Sequence, residues 1–173
     1  ITFRYVENWV AGRGLVFNVG DHVEGFSNPL FVLLLAPFAR AGCDLFAVSK
    51  ALGRAATALE AALLVWLTVR ATGSTLIAAA AAALFCTDRV VTVWATGGLE
   101  TAVHALLVTA AFAACVDALE APERRVRVAT ALLFAVAVSR PEGALFFVLY
   151  LAELAVVARP PSRPWVRALN LFL

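Results

Sequence analysis

FAVSKALGRAATALEAALLVWLTV, residues 46–69, carries Lys50 and Arg54 near its start, Glu60 midway, and otherwise almost nothing that water must solvate. A bilayer crossing takes roughly 20 mostly apolar residues, and this run is long enough. Arg70 and Gly73 follow it as stop signals. Leu76–Trp94 is a second run of that kind, with Ala78–Ala83 at its centre as a surface for close helix packing, and Gly97-Gly98 breaks it. Thr101–Leu119 is a third. Shorter runs follow at Val128–Val138 and Ala144–Ala158, and Trp165 opens another. Leu30–Phe38, bracketed by Pro29 and Pro37, is too short to cross and reads as an interfacial or re-entrant helix.

Composition agrees with the runs. Of 173 residues 62% are hydrophobic and 15% charged, with mean hydropathy +0.88, whereas soluble domains are about half apolar and a quarter charged. The expected fold is all-α: a polytopic transmembrane helical protein with an exterior juxtamembrane loop carrying short helices. Residues 1–45 form that loop and residues 46–173 the helical region. The net charge of +2 gives no reason to expect nucleic acid as a partner. Cys43, Cys86 and Cys115 lie far apart, without metal-like spacing or a disulfide framework. The sequence contains no Met, starts at Ile1 and stops inside a rising apolar run, so it is expected to be an internal piece of a longer protein.

Arginine placement sets an expected orientation. If each run crosses once, Arg70, the Glu123–Arg127 cluster and the 159–167 tail share one side. The N-terminal block, Thr96–Glu100 and Ser139–Gly143 share the other. The arginine-dense side is the cytoplasmic one by the positive-inside rule, which places the three polar segments together outside.

Each polar candidate has a plain reading beside a functional one. Ser27 or Asn28 is suited to cap a helix whose first residue is Pro29. Glu24 is a surface carboxylate or a substrate ligand. Gly12-Arg13-Gly14 reads as a helix end with a glycine at positive φ, and Asn18–Asp21 as a turn. Glu100 sits where a helix dipole favours a carboxylate. His104 lies one turn on, and the pair would orient a hydroxyl or bind a cation; two residues do not define a metal site, so none is assigned. Arg140 and Glu142 either pair with each other or hold an anionic group, in a break that is costly inside an apolar stretch. Glu60 and Glu153 are deep carboxylates, functional or hydrogen-bonded between helices. Asp88-Arg89 reads as a local ion pair.

Four stretches, ITFRYVENWVAGRGLVFN, VEGFSNPLFVLLLA, TGGLETAVHALL and SRPEGALFF, carry a resemblance. The chain resembles the C-superfamily of membrane glycosyltransferases that use polyprenyl-phosphate-linked sugars, and within it the bacterial, mycobacterial-type arabinofuranosyltransferases. The resemblance implies transfer of a pentosyl or hexosyl group from that donor to a cell-envelope glycan, lipid or protein acceptor. The active side would face the exterior of the bacterial inner (plasma) membrane. It puts the main catalytic acid in an acidic pair just ahead of Ile1, which would leave this piece inactive by itself. Residues 1–45 become the remainder of a catalytic loop. Glu24 and Glu100 match secondary acidic positions. Arg4, Tyr5, Ser27, Asn28, His104, Arg140 and Glu142 form the expected substrate-binding set, with Arg140 near the donor phosphate. No cofactor is certain, and a divalent cation is compatible. A transporter or flippase, or a non-catalytic membrane scaffold, is the alternative.

Overall fold

Glycine and short polar side chains set the helix boundaries. The computed structural model describes residues 1–21, 23, 25–120 and 122–156, with side chains except at 118–120, 122–125, 150, 151 and 153–156. Glu24, the Glu153 carboxylate, the side chains of Glu123–Arg125, the 159–167 tail and Trp165 therefore lie outside the described residues. Helix α1 (Thr2–Val10) ends in a Schellman turn. Arg13 N–H donates to Asn8 O at 2.9 Å and Gly12 N–H to Trp9 O at 3.0 Å, with Gly12 at φ 74°. A residue without Cβ adopts that conformation at little cost. Helix α2 (Pro29–Arg40) stops in the same way, through Gly42 and Cys43. Pro37 lies inside α2 and does not bound it.

Helix α3 (Leu45–Thr72) starts under Asp44, whose carboxylate accepts from Phe46 N–H at 3.0 Å, and stops at Gly73 with φ 68°. Ser74 caps α4 (Thr75–Thr87). The expected single run Leu76–Trp94 is two helices. Asp88 Oδ1 accepts from the N–H groups of Val90 (2.7 Å) and Val91 (3.1 Å), starting α5 (Arg89–Thr96), and α4 and α5 bend by 61°. Asp88 is thus an N-cap, in place of the expected ion pair with Arg89. Helices α6 (Thr101–Glu120), α7 (Pro122–Ser139) and α8 (Gly143–Val156) follow. The Glu123–Arg127 cluster, expected in a turn, forms the start of α7, so this helix is longer than its apolar run.

Three contacts fix how α3 and α6 lie. At one end Gly98, just before α6, sits so close to Ser49 that an added Cβ would be 2.8 Å from Ser49 Oγ. Midway, Thr109 Oγ1 donates to Glu60 Oε1 at 3.2 Å. At the far end Arg70 pairs with Asp117 and stacks its guanidinium 5.1 Å from the Trp66 ring centroid. The two helices therefore run parallel. Helices α4 and α5 return along α3, and α7 returns along α6.

Two apolar clusters hold these layers. Val6, Phe31, Val32, Leu35, Ala36 and Leu45 form one, joined by Val48 and Val103, so residues 1–45 pack directly on α3 and α6. Ala111, Cys115, Ala129, Leu133 and Val136 form the other, between α6 and α7. Among the described residues one helix, α3, is long and apolar enough to cross a membrane, and the bent α4–α5 pair passes the same test when taken as one span.

Gly53 marks the tightest approach of α3 to α5, since its added Cβ would lie 2.7 Å from the Ala95 carbonyl oxygen. Helix propensity alone makes Gly→Ala stabilising by about 1 kcal/mol, but overpacking costs about 1–3 kcal/mol. Gly53→Ala is therefore expected to lower the thermal unfolding midpoint in detergent, and a raised midpoint would remove the contact from the account.

Candidate functional site

The N-terminal block is a loop held down by buried polar side chains. Asn8 is fully buried, and its Nδ2 donates to Val16 O at 2.7 Å and Phe17 O at 3.0 Å. Its Oδ1 accepts from Arg13 Nε at 2.9 Å. Tyr5, also buried, donates its hydroxyl to Val23 O at 2.8 Å and accepts from Gly25 N–H at 2.9 Å. A Cβ at Gly25 would lie 2.6 Å from that hydroxyl oxygen, so glycine is needed for the backbone to close on the ring. The Tyr5 ring packs against Phe26, centroids 4.7 Å apart. Arg4 is exposed, and its Nε donates to Phe17 O at 3.3 Å. Arg4 and Tyr5 thus both fasten the loop, and Tyr5 also lines an apolar cavity of ≈ 320 Å³ with Ile1, Phe17 and Val23.

Asn28 departs from the capping expectation. It occupies the N-cap position of α2, yet no backbone N–H bonds to its side chain. Its carbonyl oxygen instead accepts from Phe31 and Val32 N–H, and Pro29 at the first helical position has no N–H to satisfy. The freed amide points across the molecule. Asn28 Nδ2 donates to Glu100 Oε2 at 2.9 Å and to Thr2 Oγ1 at 3.2 Å. A carboxylate can only accept, so the amide nitrogen must face Glu100. Asn28 is 5% exposed.

Beside this bond lies a cavity of ≈ 330 Å³ bordered by Ile1, Thr2, Gly25, Ser27, Asn28 and Glu100. Ser27 is exposed on its wall and does not cap α2. Ile1 borders both cavities.

One turn after Glu100, His104 reaches α7. Its Nδ1 is 2.6 Å from Ser139 Oγ, and Ser139 in turn donates to Val136 O at 2.7 Å. Arg140 Nε lies 2.8 Å from Glu142 Oε1, but its N–H is not aimed at that oxygen. The contact is therefore an ion pair without a hydrogen bond, and at partly exposed side chains it contributes little stability. The turn itself is tight: Gly143 N–H donates to Arg140 O at 2.9 Å, and any Cβ on Gly143 would run into the Val136 carbonyl oxygen. The charges of Arg140, Glu142 and Glu100 all act on the His104 ring.

The structure therefore brings Asn28, Glu100, His104, Arg140 and Glu142 to one end of the helices. Sequence reasoning passed over Thr2 and Asn8 and treated Ser139 only as part of a helix stop. A polar residue on a mostly apolar helix face was the available signal for Asn8 and Ser139. Among the described residues, no group of three or more His, Cys, Asp or Glu side chains could hold a metal ion. Comparison with protein-family models, characterised proteins and solved structures finds no match for this chain.

Asn28→Asp places a second carboxylate against Glu100 in a buried spot. It is expected to destabilise the protein by about 1–3 kcal/mol, the cost of a lost buried hydrogen bond. Adding Glu100→Gln returns a donor to the pair and should recover most of that loss. Unfolding midpoints of both single variants and the double variant check this; additive losses would mean the two side chains do not meet.

Proposed function

We propose that the protein is a polytopic membrane glycosyltransferase that moves a sugar from a polyprenyl-phosphate donor to a cell-envelope glycan, lipid or protein acceptor at the exterior face of a bacterial plasma membrane. The observation that carries this reading is the cavity in which Thr2, Asn28 and Glu100 present polar groups from a mostly apolar wall that includes Ile1, Phe3, Phe26 and Phe31. The resemblance puts an acidic pair directly ahead of Ile1, and a carboxylate there would stand at the cavity's rim beside Glu100. In this mechanism the upstream acid takes the acceptor hydroxyl's proton as oxygen attacks the anomeric carbon and lipid phosphate leaves. Glu100, with one oxygen held by Asn28, orients the hydroxyl. Arg140 supplies positive charge to the leaving phosphate.

The helices support a bilayer as surroundings. Only 17% of the apolar window of α3 is buried within the protein, whereas the core helix of a soluble protein is mostly covered. Leu59, Trp66, Leu76, Leu84 and Val93 stand exposed along α3, α4 and α5. The apolar stretches of α6 and α7, Thr101–Asp117 and Val126–Ser139, are shorter than a full crossing. The bend at Asp88 favours a second reading, a transporter with a discontinuous helix.

Two measurements test the proposal. With Cys43 and Cys86 replaced by Ser, impermeant thiol labelling of intact cells should reach Leu99→Cys but not Arg127→Cys; the reverse would invert the orientation. In membranes that hold the protein together with the acidic pair that the resemblance places ahead of Ile1, supplied with polyprenyl-phosphate arabinofuranose and hexose donors, Glu100→Gln and Arg140→Ala should each slow transfer by about 10²-fold without loss of membrane insertion. Unchanged transfer in both rejects the site, and lipid-linked sugar crossing the vesicle without a new glycosidic bond favours the transporter.

A further inference from the structure

The hydroxyl of Ser139 has one hydrogen, and the Val136 carbonyl, which can only accept, takes it at 2.7 Å. Toward His104, 2.6 Å away, Ser139 Oγ is therefore an acceptor. The ring must donate from Nδ1, because the bond made by one imidazole nitrogen decides the state of the other. We infer that Ser139 is a positioning residue that locks neutral His104 in the Nδ1–H form, so that Nε2 is held unprotonated as a hydrogen-bond acceptor for a substrate hydroxyl.

Burial and packing keep this arrangement fixed. Ser139 is 4% exposed, so water does not compete for its hydroxyl. It ends α7 against the turn where Gly143 abuts Val136, the residue whose carbonyl takes the serine proton. Nε2 has no hydrogen-bond partner among the described residues and is not among the buried unpaired atoms, so it remains open to a ligand. One turn earlier, immediately ahead of α6, Glu100 has Oε2 engaged by Asn28. Nε2 and the remaining Glu100 oxygen are both acceptors, which suits a ligand that carries several hydroxyl donors. The identity of that ligand as a sugar acceptor rests on the transferase reading; the tautomer does not.

The sequence has two histidines, His22 and His104, so His22→Asn leaves a single ring to observe. In bilayers, at a pH where the ring is neutral, ¹⁵N-histidine solid-state NMR should show Nδ1 protonated and Nε2 unprotonated. Ser139→Ala should shift the population toward Nε2–H. A protonated Nε2 in the serine-containing protein overturns the inference, and that spectrum needs no variant at Ser139 to fold. His104→Asn keeps an amide donor near the Nδ1 position but lacks Nε2. It should retain the unfolding midpoint and slow transfer by about tenfold, the effect of one lost hydrogen bond. Unimpaired transfer in His104→Asn would overturn the acceptor role. If no sugar is transferred even by the parent protein carrying the acidic pair ahead of Ile1, the transferase reading fails, while the NMR result still decides the tautomer.

Discussion

The bond from Asn28 to Glu100 joins residues 72 positions apart, and the arrangement of the polar end depends on it. Apolar contact presses α1 and α2 onto α3, but such contact is non-directional. It sets neither which residue faces the start of α6 nor where the 25–28 loop stops. A charge-assisted hydrogen bond between a buried amide and a carboxylate does, and such bonds contribute about 1.5–3 kcal/mol. The local cost is a missing side-chain cap, about 1 kcal/mol for an ordinary N-cap. Pro29 lessens that cost, because the first helical residue presents no N–H. The Asn-Pro pair thus begins a helix while leaving the asparagine side chain free for a distant partner.

Close helix contact is the second requirement, and it falls on small residues. Gly53 meets the Ala95 carbonyl, Gly98 meets Ser49, and Gly143 meets Val136. At each point a Cβ would enter space that another atom holds. Where the surroundings are as apolar as the helix faces, hydrophobic burial no longer drives association. Backbone-to-backbone van der Waals contact and interhelical hydrogen bonds take over. The Thr109–Glu60 bond and the Arg70–Asp117 pair supply the polar part at mid-height and at the far end.

Much of this was legible in the sequence, for physical reasons. Residues 46–69 declare a long helix because an apolar run of that length has few other uses, and Gly73 marks its end. Gly12 signalled the end of α1, since a left-handed C′ position selects glycine. Hydropathy failed at Asp88. Averaged over a window, one aspartate vanishes, yet its carboxylate captures two N–H groups and turns the chain by 61°. It failed again at the start of α7, where charged residues 123–127 continue a helix that an apolar count begins only at Val128. Asn28 was read as a cap because local pattern contains nothing about a residue 72 positions on. The convergence of three polar segments was legible from helix parity; the bonds among them were not.

Helix α6 explains why convergence produces a candidate site rather than a cluster of exposed loops. Glu100, just ahead of it, and His104, in its first turn, are four residues apart, and each is held by a different part of the chain. The N-terminal loop holds Glu100 through Asn28, and the end of α7 holds His104 through Ser139. Neither partner saturates the group it holds: Asn28 bonds to one carboxylate oxygen and Ser139 to one ring nitrogen. Orientation is thereby fixed while acceptor capacity is left over on both side chains. A group meant only to stabilise the fold gains most when all its lone pairs are satisfied. Groups that are rigidly aimed and only half-used are what recognition of a hydroxyl-bearing ligand requires, because binding then does not have to order them.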